Sequence, residues 1–509
     1  MTVTQHLRII FARRELRNVL LAFTLGFGVI GGVGLAVQLF DDWLTLSFWL
    51  DAAQFVLIQI ALILIYMSSS KKEGARFCLD TNFYLNRYKK EQPQWLWLKR
   101  TGKDNDAKLE ARQGFGPEDI VKCCCEKADE NCKCGEKNKE EGNAQNDEPK
   151  GVTIHYKYDA NNTILSQSVM CWCPESPLKL DQIRFHLEDE WYNLPWFISE
   201  GALEQTLLRF NANSTKKFDY NGSTLSLKSI ETPADDPKHQ ITFNFRKSTY
   251  FSYLATNMLP EVKLPGGVSY REMLEPGPKL HAFENASVEN HIGLSCMFLT
   301  TDDHFIIPVR NHNVTVFKGQ LSPSVSGAGN LSTCSNPDHS SFSPMAWLIH
   351  ETAEELPFLQ RKTPNVETLP IPYRELEHAF EDARFLGLSR ELRRCGKPEL
   401  FFSYALKMDS TQVRKLTKGP LQDKDKDKDK DKDKNNGQET EGKSKHSQDL
   451  NENEGYLLIS LADIHKALRM EDNKKKQITS IVLTHNGKKY ELSESLLVNL
   501  IFYFRHHPA

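Results

Sequence analysis

Residues 19–40, "VLLAFTLGFGVIGGVGLAVQLF", run for 22 positions without a charge, and no other feature restricts the chain more. A bilayer span takes about 20 apolar residues, because in hydrocarbon a helix satisfies its own backbone. A second apolar stretch, Trp43 to Met67, follows through the link "DDW". Its Asp51 is expected near the interface, with the span beginning near Phe48, since a carboxylate at mid-bilayer costs about 3 kcal/mol. So short a link allows only a helical hairpin. Arg8, Arg13, Arg14 and Arg17 precede it and Lys71, Lys72 and Arg76 follow it. The positive-inside rule then puts both termini and the soluble part in the cytoplasm, on a multi-pass membrane anchor. The first stretch is too long for a cleaved signal peptide, lacks a clear small-residue cleavage site and has a second span behind it. Small residues in "GFGVIGGVG" permit close helix packing, so the lipid bilayer is an expected partner and a homo-oligomer through the membrane helices a further one.

Composition narrows the remainder. At 509 residues, 39% apolar and 26% charged, the chain has room for two or three globular domains. A formal charge of −3, with no basic stripe interleaved with aromatics, argues against a nucleic-acid partner. Eleven cysteines in no secreted disulfide pattern fit a reducing compartment. Cys123, Cys124, Cys125, Cys132 and Cys134, with Cys171 and Cys173 of "CWC", offer thiolates to zinc or a softer ion, or serve as surface thiols or acylation sites; their spacing matches no standard zinc module. Six N-x-S/T sequons, at Asn161, Asn213, Asn221, Asn285, Asn313 and Asn330, would suit a luminal side, but the charge flanks outweigh them.

Four regions are expected. Residues 1–70 form the membrane hairpin. Residues 71–151 are a juxtamembrane region and Cys-rich polar linker, with "QPQWLWLKR" its packed piece. Residues 152–289 are an α+β region without an assigned role, in which "TILSQSVMCW", "STLSLKSI" and "QITFNFR" read as strands and "TYFSYLATNML" as a short helix. In residues 290–509, "HIGLSCMFLTT" and "FIIPVRN" flank "DDH" as a β-hairpin, "GKPELFFSYALKM" reads as a buried strand and "YRELEHAFEDARFLGLSREL" carries helical spacing. An insertion at 418–454 holds six consecutive Asp-Lys pairs, Asp423 to Lys434. Like charges at every i,i+4 disfavour a helix there, and a solvated, disordered loop is expected. A hairpin across Asn486-Gly487 and an amphipathic helix from Ser493 to Arg505 close the chain.

The segment "HETAEELPF", His350 to Phe358, poses a chemical question. Ser343 suits an N-cap, Pro344 the first helical position and Pro357 a terminator, so a short helix is predicted. Met345, Ile349, Thr352 and Leu356 form its buried stripe. Glu351, Glu354 and Glu355 converge on another face at i, i+3 and i+4. They stand at the negative end of the helix dipole, where each carboxylate is unfavourable by about 0.3–1 kcal/mol. A bound divalent cation would reverse that sign; a solvated acidic face is the alternative.

In this setting the residues resemble the Nudix hydrolase superfamily, whose box reads G-x5-E-x7-R-E-U-x-E-E-x-G-U, with U aliphatic. "ETAEEL", Glu351 to Leu356, looks like the R-E-U-x-E-E core without its arginine, and "LSPSVSGAG" resembles the loop bearing the first glycine, at Gly327. His350 stands in the arginine position, Thr352 in the aliphatic one and Pro357 in that of the late glycine; the early glutamate is absent. The resemblance covers about Asn290 to Met408, with an extension through the final helix that makes 290–509 the expected Nudix-like domain, and implies an α+β fold, a Nudix-like α/β/α sandwich with a mixed sheet. It also implies a nucleotide-type small-molecule substrate, a nucleoside diphosphate linked to another moiety, hydrolysed with Mg²⁺ or Mn²⁺ held by Glu351, Glu354 and Glu355.

The chemistry of the residues agrees with that implication. Cleaving a diphosphate requires neutralised oxygens and an activated water, which a carboxylate-bound ion supplies. Glu354 or Glu355 would bind it directly, and Glu351 would bind or act as base. Glu399 is a candidate further acid. Arg310, Arg390, Arg393, Arg394 and Lys397 are candidates to meet phosphate oxygens, Arg310, Gly327, Lys397 and Glu399 being those assigned to substrate binding. A catalytically impaired nucleotide sensor or a membrane scaffold is the alternative to the enzyme.

Overall fold

The computed structural model describes residues 84, 87–88, 94–102, 108–113, 163–195, 198, 221–233, 239–261, 268–311, 319–335, 342–360, 380–417, 453–473 and 478–508. The expected membrane hairpin, the cysteine-rich run 123–134 and the Asp-Lys repeat lie outside them. Among the described residues no helix is long and apolar enough to cross a membrane.

The protein is a mixed α+β structure built on a large mixed sheet. The strands are β1 Trp95–Thr101, β2 Lys108–Gln113, β3 Thr163–Trp172, β4 Leu178–Lys179, β5 Ile183–Trp191, β6 Ser223–Glu231, β7 Ile241–Thr249, β8 Gly293–Leu299 and β9 His304–Arg310. They continue with β10 Val325–Ala328, β11 Arg384–Glu391, β12 Lys397–Ala405, β13 Asn453–Ser460, β14 Leu468–Asn473, β15 Ile478–His485 and β16 Lys488–Glu491. The helices are α1 Tyr250–Thr256, α2 Tyr270–Leu274, α3 Leu331–Cys334, α4 Pro344–Glu355, α5 Ser410–Thr417, α6 Leu461–Ala467 and α7 Glu494–His506.

The main sheet runs β13-β9-β8-β12-β11-β3-β1-β2, with β10 on β8 and β4 on β11. Its β8–β12 pair is parallel and its other pairs are antiparallel. Strands from both sides of residue 290 share this sheet, so it crosses the division expected there. Two further sheets, β5-β7-β6 and β14-β15-β16, lie among the described residues.

Strand alternation divides the apolar residues into two cores. On one face Leu294, Cys296, Leu400 and Phe402 join Trp347 and Leu348 of α4 and Phe185, Phe243 and Phe245 of the small sheet. On the other, Met297, Phe305, Ile307 and Phe401 join Leu496, Leu497, Leu500, Ile501 and Phe502 of α7. A methyl group on Gly387 would stand 2.3 Å from the Phe502 ring, so only glycine lets α7 seat this closely.

The hairpin of β8 and β9, the strands β3, β6, β7 and β12, and helices α1 and α7 all match the segments read from sequence. The turn between β15 and β16 uses Asn486 and Gly487, both at positive φ (49° and 76°), as a two-residue hairpin requires. In "YRELEHAFEDARFLGLSREL", whose residues 373–379 lie outside the described ones, the helical spacing does not hold over Arg384–Glu391, which is strand β11. Phe385 through Glu391 are all buried between β12 and β3, and a strand enclosed on both faces loses the period-2 signal. The inserted segment also ends earlier than expected, since Asn453 already opens β13.

Candidate functional site

Helix α4 forms as its sequence dictates. The Ser343 side chain accepts from the Ala346 N–H at 3.1 Å, Pro344 takes the first turn, and the Leu356 N–H closes on the Thr352 carbonyl at 3.0 Å before Pro357. Met345 is only half-buried, whereas Ile349, Thr352 and Leu356 are buried as expected. A second buried face was not expected: Trp347, Leu348, Glu351 and Glu355 also turn inward, because β10 and the small sheet cover α4 from a second side.

The three acids separate. Glu351 is 7% exposed; its Oε1 accepts from the Trp347 indole at 3.0 Å, and its carboxyl group lies against Gly327, where a methyl would stand 2.0 Å from Cδ. Glu355 accepts the Ser326 N–H at 2.8 Å and lies 3.8 Å from Arg310 Nη1. The Tyr456 hydroxyl donates to its carbonyl at 2.6 Å. Glu354, with a side chain 64% exposed, turns outward to His350 Nε2 at 3.1 Å, and that hydrogen bond holds its carboxyl below the usual range. Among the described residues no three His, Cys, Asp or Glu side chains are arranged to hold a metal ion. A three-carboxylate cradle for Mg²⁺ or Mn²⁺ does not fit this donor set, because two acids are engaged by donors of the chain and the third points away.

Gly327 and Glu351, 24 positions apart, do meet, and Arg310 joins Glu355. Lys397 and Glu399 do not. Glu399 shares its strand face with Phe401, which packs in the α7 core, whereas Glu351 lies over the α4 face. There Glu399 accepts from Ser295 Oγ at 2.5 Å and from Lys397 Nζ at 3.3 Å. Burial pushes the Lys397 ammonium below its usual range.

The basic residues around them are also engaged within the chain. Arg390 is buried and donates to the Gly396 and His281 carbonyls. Arg394 pairs with Glu391 through Nε at 2.6 Å. Burial pushes the Glu391 carboxyl up, but Arg394 and Arg393 prevail and hold it at about 2. Arg271, fully buried, donates to the Leu392 and Arg393 carbonyls and so fixes this turn.

Sequence reasoning missed Trp347, Ser326 and Tyr456. Trp347 was within reach, since it stands four residues before Glu351 on one helical face. Ser326 and Tyr456 come from β10 and β13, and nothing local marks them. No family model matches this chain, and no curated protein matches it either.

Proposed function

We propose that residues 290–509, with strands β1–β4 completing the main sheet, form a Nudix-like domain, an α/β/α sandwich with a mixed sheet. In this reading the domain binds a nucleotide-type small molecule without hydrolysing it, tethered to a membrane by the apolar segments of residues 1–70. The succession hairpin, glycine-bearing strand and acidic helix supports the family reading. So does the contact between Gly327 and Glu351, the pair that the resemblance assigns to one box. The observation that carries binding over catalysis is the state of the acids: Glu351 and Glu355 are satisfied by Trp347 and Ser326, and Glu354 faces His350. Buried carboxylates already bonded within the chain are costly to strip for an ion.

The hydrolase remains the second reading, favoured by Glu351 and Glu355 both lying against β10 with the exposed Glu354 between them in sequence. The two readings part in one experiment, in which the full chain receives a panel of nucleoside diphosphate derivatives with Mg²⁺ or Mn²⁺. Binding by calorimetry with no phosphate release is the expected result. Metal-dependent release that disappears in the double variant Glu354→Gln, Glu355→Gln would instead establish the enzyme.

A further inference from the structure

Strand β6 of the small sheet joins the main sheet just before β8. Leu227 N–H donates to the Asn290 carbonyl at 2.8 Å, Ile292 N–H to the Leu225 carbonyl at 3.2 Å and Leu225 N–H to the Gly329 carbonyl at 2.9 Å. Asn290 Nδ2 donates to the Leu227 carbonyl at 3.0 Å, and Ser226 pairs with His291 between them. Glu289 and His291 flank this joint, 0% and 1% exposed. Neither Glu289 carboxyl oxygen has a hydrogen-bond partner among the described residues, nor do His291 Nδ1, Ser248 Oγ and Thr224 Oγ1. Thr224 and Ser248 are register partners across β6 and β7, and Ser248 faces Glu289. Glu289 Oε2 stands 3.6 Å from His291 Nδ1, too far for a hydrogen bond. An ion in that setting has nothing to replace its hydration, so both groups stay uncharged while the joint is closed.

We propose that this joint is a proton-controlled latch, closed while Glu289 and His291 are both uncharged and released when either becomes charged in water. The charged groups around the pair are already engaged: Arg246 of β7 with Glu190 at 3.7 Å, Lys397 of β12 with Glu399 at 3.3 Å, and Arg394 with Glu391. Tyr192 and Tyr253, the remaining titratable neighbours among the described residues, keep their protons through burial. Burial likewise drives the Glu289 carboxyl well above its usual range and the His291 imidazole well below its own. In the open joint both return to ordinary values, about 4.3 and 6.5. Glu289 therefore favours opening about tenfold more per pH unit above 4.3, and His291 about tenfold more per unit below 6.5. Between those values the two cancel. Release draws Phe185, Phe243 and Phe245 out of the core they share with Trp347, so the latch controls the cover over α4.

Hydrogen exchange on the full chain in detergent micelles tests this, with opening constants corrected for the intrinsic pH dependence of amide exchange. For the amides of Leu225, Leu227 and Ile292, opening should be level from about pH 4.3 to 6.5 and rise about tenfold per unit from there to pH 8. The same amides in Glu289→Gln should show no rise above pH 6.5. Amides of Leu497, Leu500 and Phe502 in α7 should stay more protected than the joint throughout. Level opening of the native joint above pH 6.5, or an unchanged rise in the folded variant, overturns the latch. Joint and α7 amides opening equally at every pH also overturns it, because the titration then belongs to global unfolding. If the Gln variant does not fold, the native profile and the comparison with α7 decide alone.

Discussion

Single positions show where this chain tolerates least. The Glu351 carboxyl group rests on Gly327, and a Cβ there would lie 2.0 Å from Cδ. Gly327→Ala is therefore expected to lower stability by about 1–3 kcal/mol, the cost typical of overpacking, read from the urea midpoint. A wild-type midpoint in that variant would mean that Glu351 has another seat. Glu289 and His291 are a different case. Both are buried, Glu289 Oε2 is 3.6 Å from His291 Nδ1, and the His291 ring stacks on Tyr253 at 4.2 Å. Burial pushes the Glu289 carboxyl well above the usual range and the His291 imidazole well below its own. A carboxyl with a raised folded pKa contributes stability that is full below its unfolded value, about 4.3, and is lost as pH climbs toward the folded value. The histidine, lowered, loses stability as pH falls below about 6.5. Glu289→Gln, which cannot ionise, should lose less stability than the native chain between pH 5 and pH 8 in urea unfolding. Equal losses would show that Glu289 is already ionised in the fold.

At the level of elements, the joint between α7 and β3 depends on one carboxyl. Glu494, in the first turn of α7, accepts from Gln167 N–H and Ser168 Oγ, each at 2.7 Å. Burial, reinforced by Glu391, pushes it up to about 7. Its stabilising share is therefore complete below about pH 4.3 and falls as pH rises through 7. Glu494→Gln keeps an acceptor oxygen and loses the titration. It is expected to match the native chain near pH 4 and to exceed it at pH 8 by on the order of 1–3 kcal/mol. Helix α4 shows the converse, an element whose boundaries are written in its own residues. Ser343, Pro344 and Pro357 bound it in sequence and bound it in the fold. Strand β11 shows how such reading fails: its interior position buries residues on both faces, and apolar residues then recur at spacings that also suit a helix.

For the whole molecule, the two cores flanking the main sheet rest on helices far apart in the chain. Residues 495–504 of α7 are all buried, and their partners include Leu96 and Leu98 of β1, Phe305 of β9 and Phe401 of β12. Ending the chain at Ser493 would expose this entire core, so the truncated protein should lose its cooperative thermal transition and bind a hydrophobic dye. A cooperative transition after truncation would show that the α4 core is sufficient alone.

What the sequence determined by itself is local: the caps of α4 and α7, the Asn486-Gly487 turn, the alternating strands and the acidic spacing all depend on neighbours within a few positions, where backbone sterics and hydrogen bonding act. The tertiary structure alone decided which way each acid turns. Glu351 follows an indole and a glycine, Glu355 a backbone N–H on β10, and Glu399 the opposite face of the sheet. Those outcomes depend on strand order and register, which long-range burial selects and which spacing along the chain does not encode.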